Sequence, residues 1–355
     1  MYKRDKALMY KQSKALTHAP AKHQANKEGS PMPLILDVDT DLNENTIEIK
    51  MAQEAGVEFA RSKGRSAQAV IKGLLETNAD GALTSYSQFP REVFESCPNL
   101  KVVSRTGVGY DEIDVEAATE YGVAVCNVPS YGTEVVSDHA LALTLAILRR
   151  INELDANMRK GIWGYQHVVP LGQCYGRTFG VVGMGEIGRA TARKASGMGF
   201  EVVCYSRSLK PGRRTPEGYP ILHLEKLLQV SDVVSLHVAL TPATHHLIDQ
   251  KALENMKDQA ILINTARGAI VDTRALAQAL ESGKLWGAGL DVYEEEQPFD
   301  FSHPIMSAPH TVLTPHAAFS STESMLELRQ RAMQSAIDVV LGRMPVDCLN
   351  PEVFG

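Results

Sequence analysis

Two strand-like runs in the second half of this 355-residue chain end in side chains that could carry a reaction. Ile261-Leu-Ile-Asn-Thr-Ala-Arg267-Gly268 sets an arginine just past a buried apolar run. A guanidinium there can clamp a carboxylate through two parallel hydrogen bonds and polarise a neighbouring carbonyl. Val312-Leu-Thr-Pro-His316 sets a histidine in the equivalent place. Imidazole is the natural proton donor, near neutral pH, to the alkoxide that develops when a ketone accepts a hydride. Between the two lies Gly289-Leu-Asp291-Val-Tyr-Glu-Glu-Glu296-Gln-Pro298. A carboxylate standing behind the histidine would orient its ring and hold its proton more tightly.

A hydride source is written earlier in the chain. The run TFGVVGMGEIG, from Thr178 to Gly188, feeds an apolar strand into Gly183-Met184-Gly185-Glu186-Ile187-Gly188 and then into a helical pattern. That is G-x-G-x-x-G between a strand and a helix, the setting in which glycines allow a tight turn and a close approach to a diphosphate. The helix N-terminus adds free N–H groups and the positive end of its dipole. A second strand-like run, Glu201 to Tyr205, follows at βαβ distance and leads into Ser206-Arg207-Ser208, with Lys210, Arg213 and Arg214 beyond. The carboxylate that would accept from an NAD ribose is missing there, and cations stand where a 2′-phosphate would sit, so the pattern predicts NADP in preference to NAD. On the substrate side, Ser104-Arg105-Thr-Gly107-Val108-Gly109-Tyr110-Asp111 follows a strand-like run. Successive N–H groups in such a Gly-x-Gly turn form an anion-binding nest suited to a carboxylate. Tyr86 and Ser87 occupy a loop expected to face the substrate tail, with no Arg or Lys immediately beside them.

These segments need a scaffold, and strand and helix patterns alternate from Leu34 onward. The alternation predicts an α/β protein with parallel sheets covered by helices. The length favours two domains. The arrangement expected is a Rossmann dinucleotide-binding domain, residues 140–327, inserted into a smaller flavodoxin-like α/β substrate domain, residues 32–139 and 328–355. Thr133–Ile151 reads as one long helix, apolar nearly all round, buried between the domains. Ser321–Leu341 reads as an amphipathic helix stopped by Gly342 and Pro345. The cleft would open between domains at the carboxyl ends of the strands. Residues 1–31 are basic, carrying Lys3, Arg4, Lys6, Lys11, Lys14, Lys22 and Lys27 against Asp5 and Glu28. They read as a disordered extension, or as sequence ahead of a start at Met32. The net charge is −6, so the rest of the chain is acidic and gives no reason to expect nucleic-acid binding. No apolar run approaches membrane-span length. Five dispersed cysteines, with no C-x-x-C pair, suggest neither disulfide framework nor metal site and fit a reducing cytoplasm.

The G-x-G-x-x-G unit, N-T-A-R-G with Arg267, L-D-V-Y-E-E-E-x-P with Glu296 and L-T-P-H with His316 together resemble the D-isomer-specific 2-hydroxyacid dehydrogenases, from about Leu34 to Pro351. The resemblance implies that Arg267 binds the substrate carboxylate and carbonyl, that His316 is the general acid/base and that Glu296 is its partner. It implies that Asp291 holds the nicotinamide carboxamide and that His237, Thr265, Ala266 and Ala318 line the cofactor. Val108 and Gly109 would supply the nest. Arg105 and the T-P-H-A-A-F run ending at Phe319 look most like the C-terminal-binding-protein branch, which typically has Trp where Phe319 stands. Ser-Arg-Ser is similar to NADP-using glyoxylate and hydroxypyruvate reductases. The expected activity is therefore a cytoplasmic, homodimeric NAD(P)-dependent reductase of small 2-ketoacids. A nucleotide-sensing corepressor-like scaffold is the alternative in kind, and phosphoglycerate dehydrogenase the alternative in substrate.

Overall fold

The computed structural model describes residues 32–39, 44–296 and 299–355; the basic stretch 1–31 lies outside the described residues. Two parallel sheets make up the framework. The first contains β1 (Leu34–Asp37), β2 (Glu58–Arg61), β3 (Gly81–Thr84), β4 (Val102–Arg105) and β5 (Ala124–Cys126), in the order β2-β1-β3-β4-β5. The second contains β6 (Thr178–Val182), β7 (Glu201–Tyr205), β8 (Val233–Leu236), β9 (Ala260–Asn264), β10 (Leu285–Leu290) and β11 (Thr311–Leu313), in the order β11-β10-β9-β8-β6-β7. Counted from its own first strand, each sheet begins with the same order, 2-1-3-4-5, which is that of flavodoxin-like folds. Each therefore has a switch point beside its first strand, where successive connections leave in opposite directions and a crevice opens at the carboxyl ends.

The central strands read as near-continuous aliphatic runs because helices cover both of their faces. AILIN of β9 and VVSL of β8 are buried at every position. One face of the first sheet is closed by the helix Thr322–Val340, whose Leu328, Ala332, Met333 and Ala336 pack with Ile35, Leu83 and Val102. Ser321 caps that helix through a reciprocal bond with Ser324, so the pattern expected over Ser321–Leu341 begins one residue later.

The apolar pattern over Thr133–Ile151 resolves into two helices, Thr133–Leu148 and Ile151–Arg159. Arg150 between them is left-handed, with φ of 50°, and is tied down by a bidentate ion pair to Glu153 and a bond to the Val169 carbonyl. The first helix packs Ala140, Leu143 and Ile147 onto Phe179, Val181 and Ile263 of the second sheet.

The C-terminal segment returns to the edge of the first sheet. There Asn350, only 1% exposed, accepts from Val125 N–H at 2.7 Å and donates to Val123 O and Thr119 Oγ1, both at 2.9 Å. Asn350→Ala orphans a strand amide and a carbonyl in a dry setting. It should lower unfolding stability by about 2–4 kcal/mol, read as a shifted urea midpoint. An unchanged midpoint would show that this amide does not hold the C-terminus to β5.

Candidate active site

The two halves meet over one cavity of about 490 Å³, lined from both sheets. From the second sheet come Gly185, Glu186 and Ile187 at the end of β6, His237 after β8, Thr265, Ala266 and Arg267 after β9, Asp291 after β10, and His316, Ala318 and Phe319 after β11. From the first come Tyr86 after β3, Arg105 at the end of β4, and Val108 and Gly109 after it. Of the residues singled out in the sequence, Glu296, Gly183, Gly188, Ser206 and Arg207 do not line this cavity.

His316 is held by three layers of bonds. Its Nδ1 lies 2.7 Å from Glu296 Oε2, the ring and the carboxylate both being partly buried. A carboxylate at that nitrogen fixes the tautomer and leaves the opposite ring nitrogen to act. Tyr86 and Phe319 approach edge-on, with ring centroids 6.2 Å and 5.9 Å away. Beneath the ring, the backbone is left-handed at φ 53°, a strained region for a residue with a Cβ. Asp291, fully buried, holds it there. Its carbonyl accepts from His316 N–H at 2.7 Å, and its carboxylate accepts from Ala317 N–H at 2.8 Å, Ala318 N–H at 2.9 Å and Thr314 Oγ1 at 2.6 Å. His139 reaches the same cluster, its Nε2 standing 3.0 Å from Thr314 Oγ1.

Arg267 crosses the cleft. Its Nε donates at 3.3 Å to each oxygen of Asp111, and one terminal nitrogen donates to the Ala266 carbonyl at 2.9 Å. The other terminal nitrogen rests on Gly109, where an added Cβ would come within 1.6 Å of it. A Cβ on Gly107 would likewise meet an Arg105 nitrogen at 1.3 Å. Neither glycine has a positive φ, so this turn lacks the alternating hand of a nest built on left-handed glycine. Its glycines give room to two guanidinium groups. The N–H groups of Val108 and Gly109 have no acceptor among the described residues, and Arg105 Nε is buried without a partner.

Gly183, at φ +101°, makes the turn after β6, and its N–H donates to Tyr205 O at 2.8 Å. Gly188 lies so close behind that a Cβ would sit 1.9 Å from Gly183 O. Gly185 opens the helix Glu186–Gly197 with no side-chain cap and with nothing within 4 Å of where a Cβ would project. Bare N–H groups facing open space are what a diphosphate needs. Beside them Thr265 Oγ1 is buried and has no partner among the described residues, and burial pushes His237 down to about 4, which leaves a neutral wall. These residues fit a nicotinamide dinucleotide. Ser206 and Arg207 lie directly beyond Tyr205, and Arg207 is exposed with no ion pair among the described residues.

Several groups on the cavity went unassigned in the sequence: Asp111, Tyr131, Asp37, Asn45, Glu48 and Arg329. Asp111 was in view as the end of the Gly-x-Gly segment, but its pairing with Arg267 spans 156 positions. Tyr131 faces Arg105, Arg267 and Tyr86, and burial raises its phenol to about 12, so it stays a neutral donor. Asp37 is raised to about 6 by burial first, then by the nearby Asp39 and Glu48 charges, against the lowering effect of its Asn45 bond and of Arg61. The folded state therefore binds this proton more tightly than the unfolded chain, and stability falls as pH rises from about 4 through 6. Asp37→Asn should stabilise the protein by up to about 3 kcal/mol above pH 7 and by nearly nothing at about pH 4. Urea titrations at the two pH values check it; a gain independent of pH would refute the linkage.

Comparison with known proteins bears on the whole cleft. A model of the "D-isomer specific 2-hydroxyacid dehydrogenase, NAD binding domain" family matches residues 141–318. A glyoxylate reductase of Korarchaeum cryptofilum is 43% identical over 265 residues, covering 74% of this chain and 80% of the relative. An acyclic imino acid reductase solved with NADPH and D-Arg is 27% identical with a TM-score of 0.80, covering 89% of this chain and 99% of the other. A D-lactate dehydrogenase of Aquifex aeolicus solved with NAD and lactic acid is 27% identical with a TM-score of 0.78, over 89% and 99% of the two chains.

Proposed function

Because the chain belongs to the D-isomer-specific 2-hydroxyacid dehydrogenase family, we propose that this cleft reduces a small 2-ketoacid of the glyoxylate or hydroxypyruvate kind with a nicotinamide dinucleotide. The single observation that carries the reading is the convergence on one cavity of Arg267, His316 with Glu296 behind it, and the uncapped Gly185 helix terminus. When bound, the nicotinamide supplies the hydride. Arg267 and the unspent N–H groups of Val108 and Gly109 hold the substrate carboxylate, with Arg105 adding positive charge behind them. The orientation this gives supplies much of the rate. His316 donates the proton to the carbonyl oxygen, and Glu296 stabilises the charged ring before that transfer. Asp291 Oδ2, which among the described residues accepts from Ala318 alone, retains a lone pair for a carboxamide N–H. Thr265, Ala266, His237 and Ala318 would line the cofactor. In this reading residues 140–327 form the cofactor domain, and residues 32–139 with 328–355 the substrate domain.

The reading extends to NADP preference, to a homodimer and to a cytoplasmic setting. Arg207 and the missing acid after β7 support the first. The exposed side chains of Ile151, Met158, Trp163, Tyr165 and Tyr175, on the arm that follows the helix Thr133–Leu148, support the second. Among the described residues all five cysteines are free thiols, which suits a reducing compartment.

His316→Gln should cut glyoxylate turnover by about 10²–10⁴-fold and leave dinucleotide affinity nearly unchanged, because proton donation acts on the chemical step. Steady-state rates alongside fluorescence titration of the reduced cofactor test this, and full activity would remove His316 from the mechanism.

Arg207→Ala should weaken NADPH binding by roughly one to two decades while NADH moves little, the loss of a charge-assisted bond to a 2′-phosphate. Should the wild type bind NADH tenfold more tightly than NADPH, Ser-Arg-Ser is a solvated loop on an NAD enzyme.

A further inference from the structure

The C-terminal segment that Asn350 fastens to β5 also brings two of the cysteines together, although nothing in their spacing along the chain announces it. Cys126 is the last residue of β5, and Cys348 lies between the helix Thr322–Val340 and the closing turn Pro351–Phe354. The two form an antiparallel bridge at the edge of the first sheet. The other cysteines sit on other elements: Cys97 follows the helix Arg91–Ser96, Cys174 precedes β6 and Cys204 lies in β7.

The kind of bridge matters. Leu349 N–H donates to Val125 O at 2.8 Å, one residue to the side of the pair, and no backbone bond joins Cys126 to Cys348 directly among the described residues. That is the non-hydrogen-bonded position of an antiparallel ladder, where Cα atoms come nearest, about 4.5 Å apart, and side chains crowd together. A disulfide spans Cα atoms roughly 4.4–6.8 Å apart. Both side chains enter the same apolar cluster, so they also share a face. The Cys126 thiol is hydrogen-bonded to Cys348, and Cys348 Sγ donates to Asn350 Oδ1 at 3.6 Å. Cys126 is fully buried, whereas Cys348 is only partly so. Residues 341–349 belong to no helix or strand, which lets the Cys348 side yield to the torsion that an S–S bond demands.

We propose that Cys126 and Cys348 are a redox site, which a low-molecular-weight disulfide closes into a cross-strand disulfide fastening the C-terminal segment to β5. Closure takes two exchanges. The Cys348 thiolate attacks one sulfur of the small disulfide, whose S–S bond breaks and releases one small thiolate. The Cys126 thiol then gives up its proton, and its sulfur attacks the Cys348 sulfur and expels the second small thiolate. Two protein thiols lose two electrons, and one small disulfide is reduced to two thiols, which take up the two protons. The order follows from the surroundings. Burial raises both thiols; the Cys348 sulfur, Asp347 and Asp338 add to the effect at Cys126, while bonds from the Asn350 backbone and from Cys126 oppose it at Cys348. Attack therefore starts at the more accessible sulfur. The loop closed in this way contains the whole second sheet, and a cross-link restricts the unfolded chain more the longer its loop. The strand it secures also holds the Val108 turn: Asn127 Nδ2 donates to Val108 O at 2.7 Å, and Val128 N–H to Gly107 O at 2.9 Å.

The test uses the full chain, first reduced and then held anaerobically in glutathione buffers of rising oxidised fraction. Acid quenching and alkylation in denaturant follow, so that buried thiols react as readily as exposed ones, and the digest is mapped without reduction. Cys126 and Cys348 should lose their alkylation together and appear as one linked peptide pair. The urea midpoint of the oxidised chain should stand roughly 1 M above that of the reduced chain and fall back on adding dithiothreitol. Cys348→Ser and Cys126→Ala should each abolish both the linked pair and the rise. Cys348 is only partly buried, so its substitution tests the site even if the fold bears the loss of Cys126 poorly. Three results overturn the site: Cys126 still alkylated in fully oxidised buffer, whether or not Cys348 carries glutathione; a midpoint that does not rise once the link has formed; or a rise that persists in either variant.

Discussion

The Asp291 carboxylate is the interaction on which the rest of the cleft depends. Buried at the end of β10, it would be costly to keep without partners, and the cheapest partners are the amides of the turn after β11. Satisfying the charge and shaping the turn are therefore one event. The turn in its satisfied form holds His316 in a backbone conformation that a histidine would not adopt unaided. Strain at His316 is offset by bonds to a charge that has nowhere else to go. Glu296 then has only to set the ring, because the backbone beneath it is already placed.

A second constraint is steric and operates on the facing sheet. Two arginines enter a narrow space after β4, and each is seated on a glycine that leaves no room for a side chain. The positive charge of the cleft is thus pressed against backbone N–H groups of the same turn, where, in the proposed reading, both would act on one anion. Asp111 balances Arg267 in the meantime, so the guanidinium is held in line with the cavity.

Much of this was legible in the sequence. The glycine loop, the strand ending in Arg267 and the strand ending in His316 are each local, and short-range rules of backbone and side chain govern them. The alternation of strands and helices gave the α/β class and the two sheets for the same reason. What escaped was set by distance or by a single dihedral. The Glu48–Arg329 pair joins residues 281 positions apart, and the orphaned Asn45 oxygen exists only because Asp37 turns the amide around. Arg150 breaks an otherwise continuous apolar pattern without a proline or glycine to announce it. At Gly107 and Gly109 the expectation was an anion-binding turn of successive N–H groups, whereas the structure uses the glycines' lack of volume to seat two guanidinium groups.

The covalent path of the chain has a mechanical side. It passes from the first sheet to the second through the segment ahead of Thr133, and returns through the few residues between Thr314 and the Ser321 cap. His316 stands on that second crossing, tethered to one half by Asp291 and followed six residues on by a helix that packs on the other. Two crossings behave like the pins of a door: they resist separation and sliding, and leave turning about the line between them as the soft motion. A group mounted beside a pin travels least when the door swings, while Arg267 and the Val108 turn, on opposite leaves, travel most. In the proposed reading, His316 would therefore keep its place in such a turn, while Arg267 and the Val108 segment would approach and part across it.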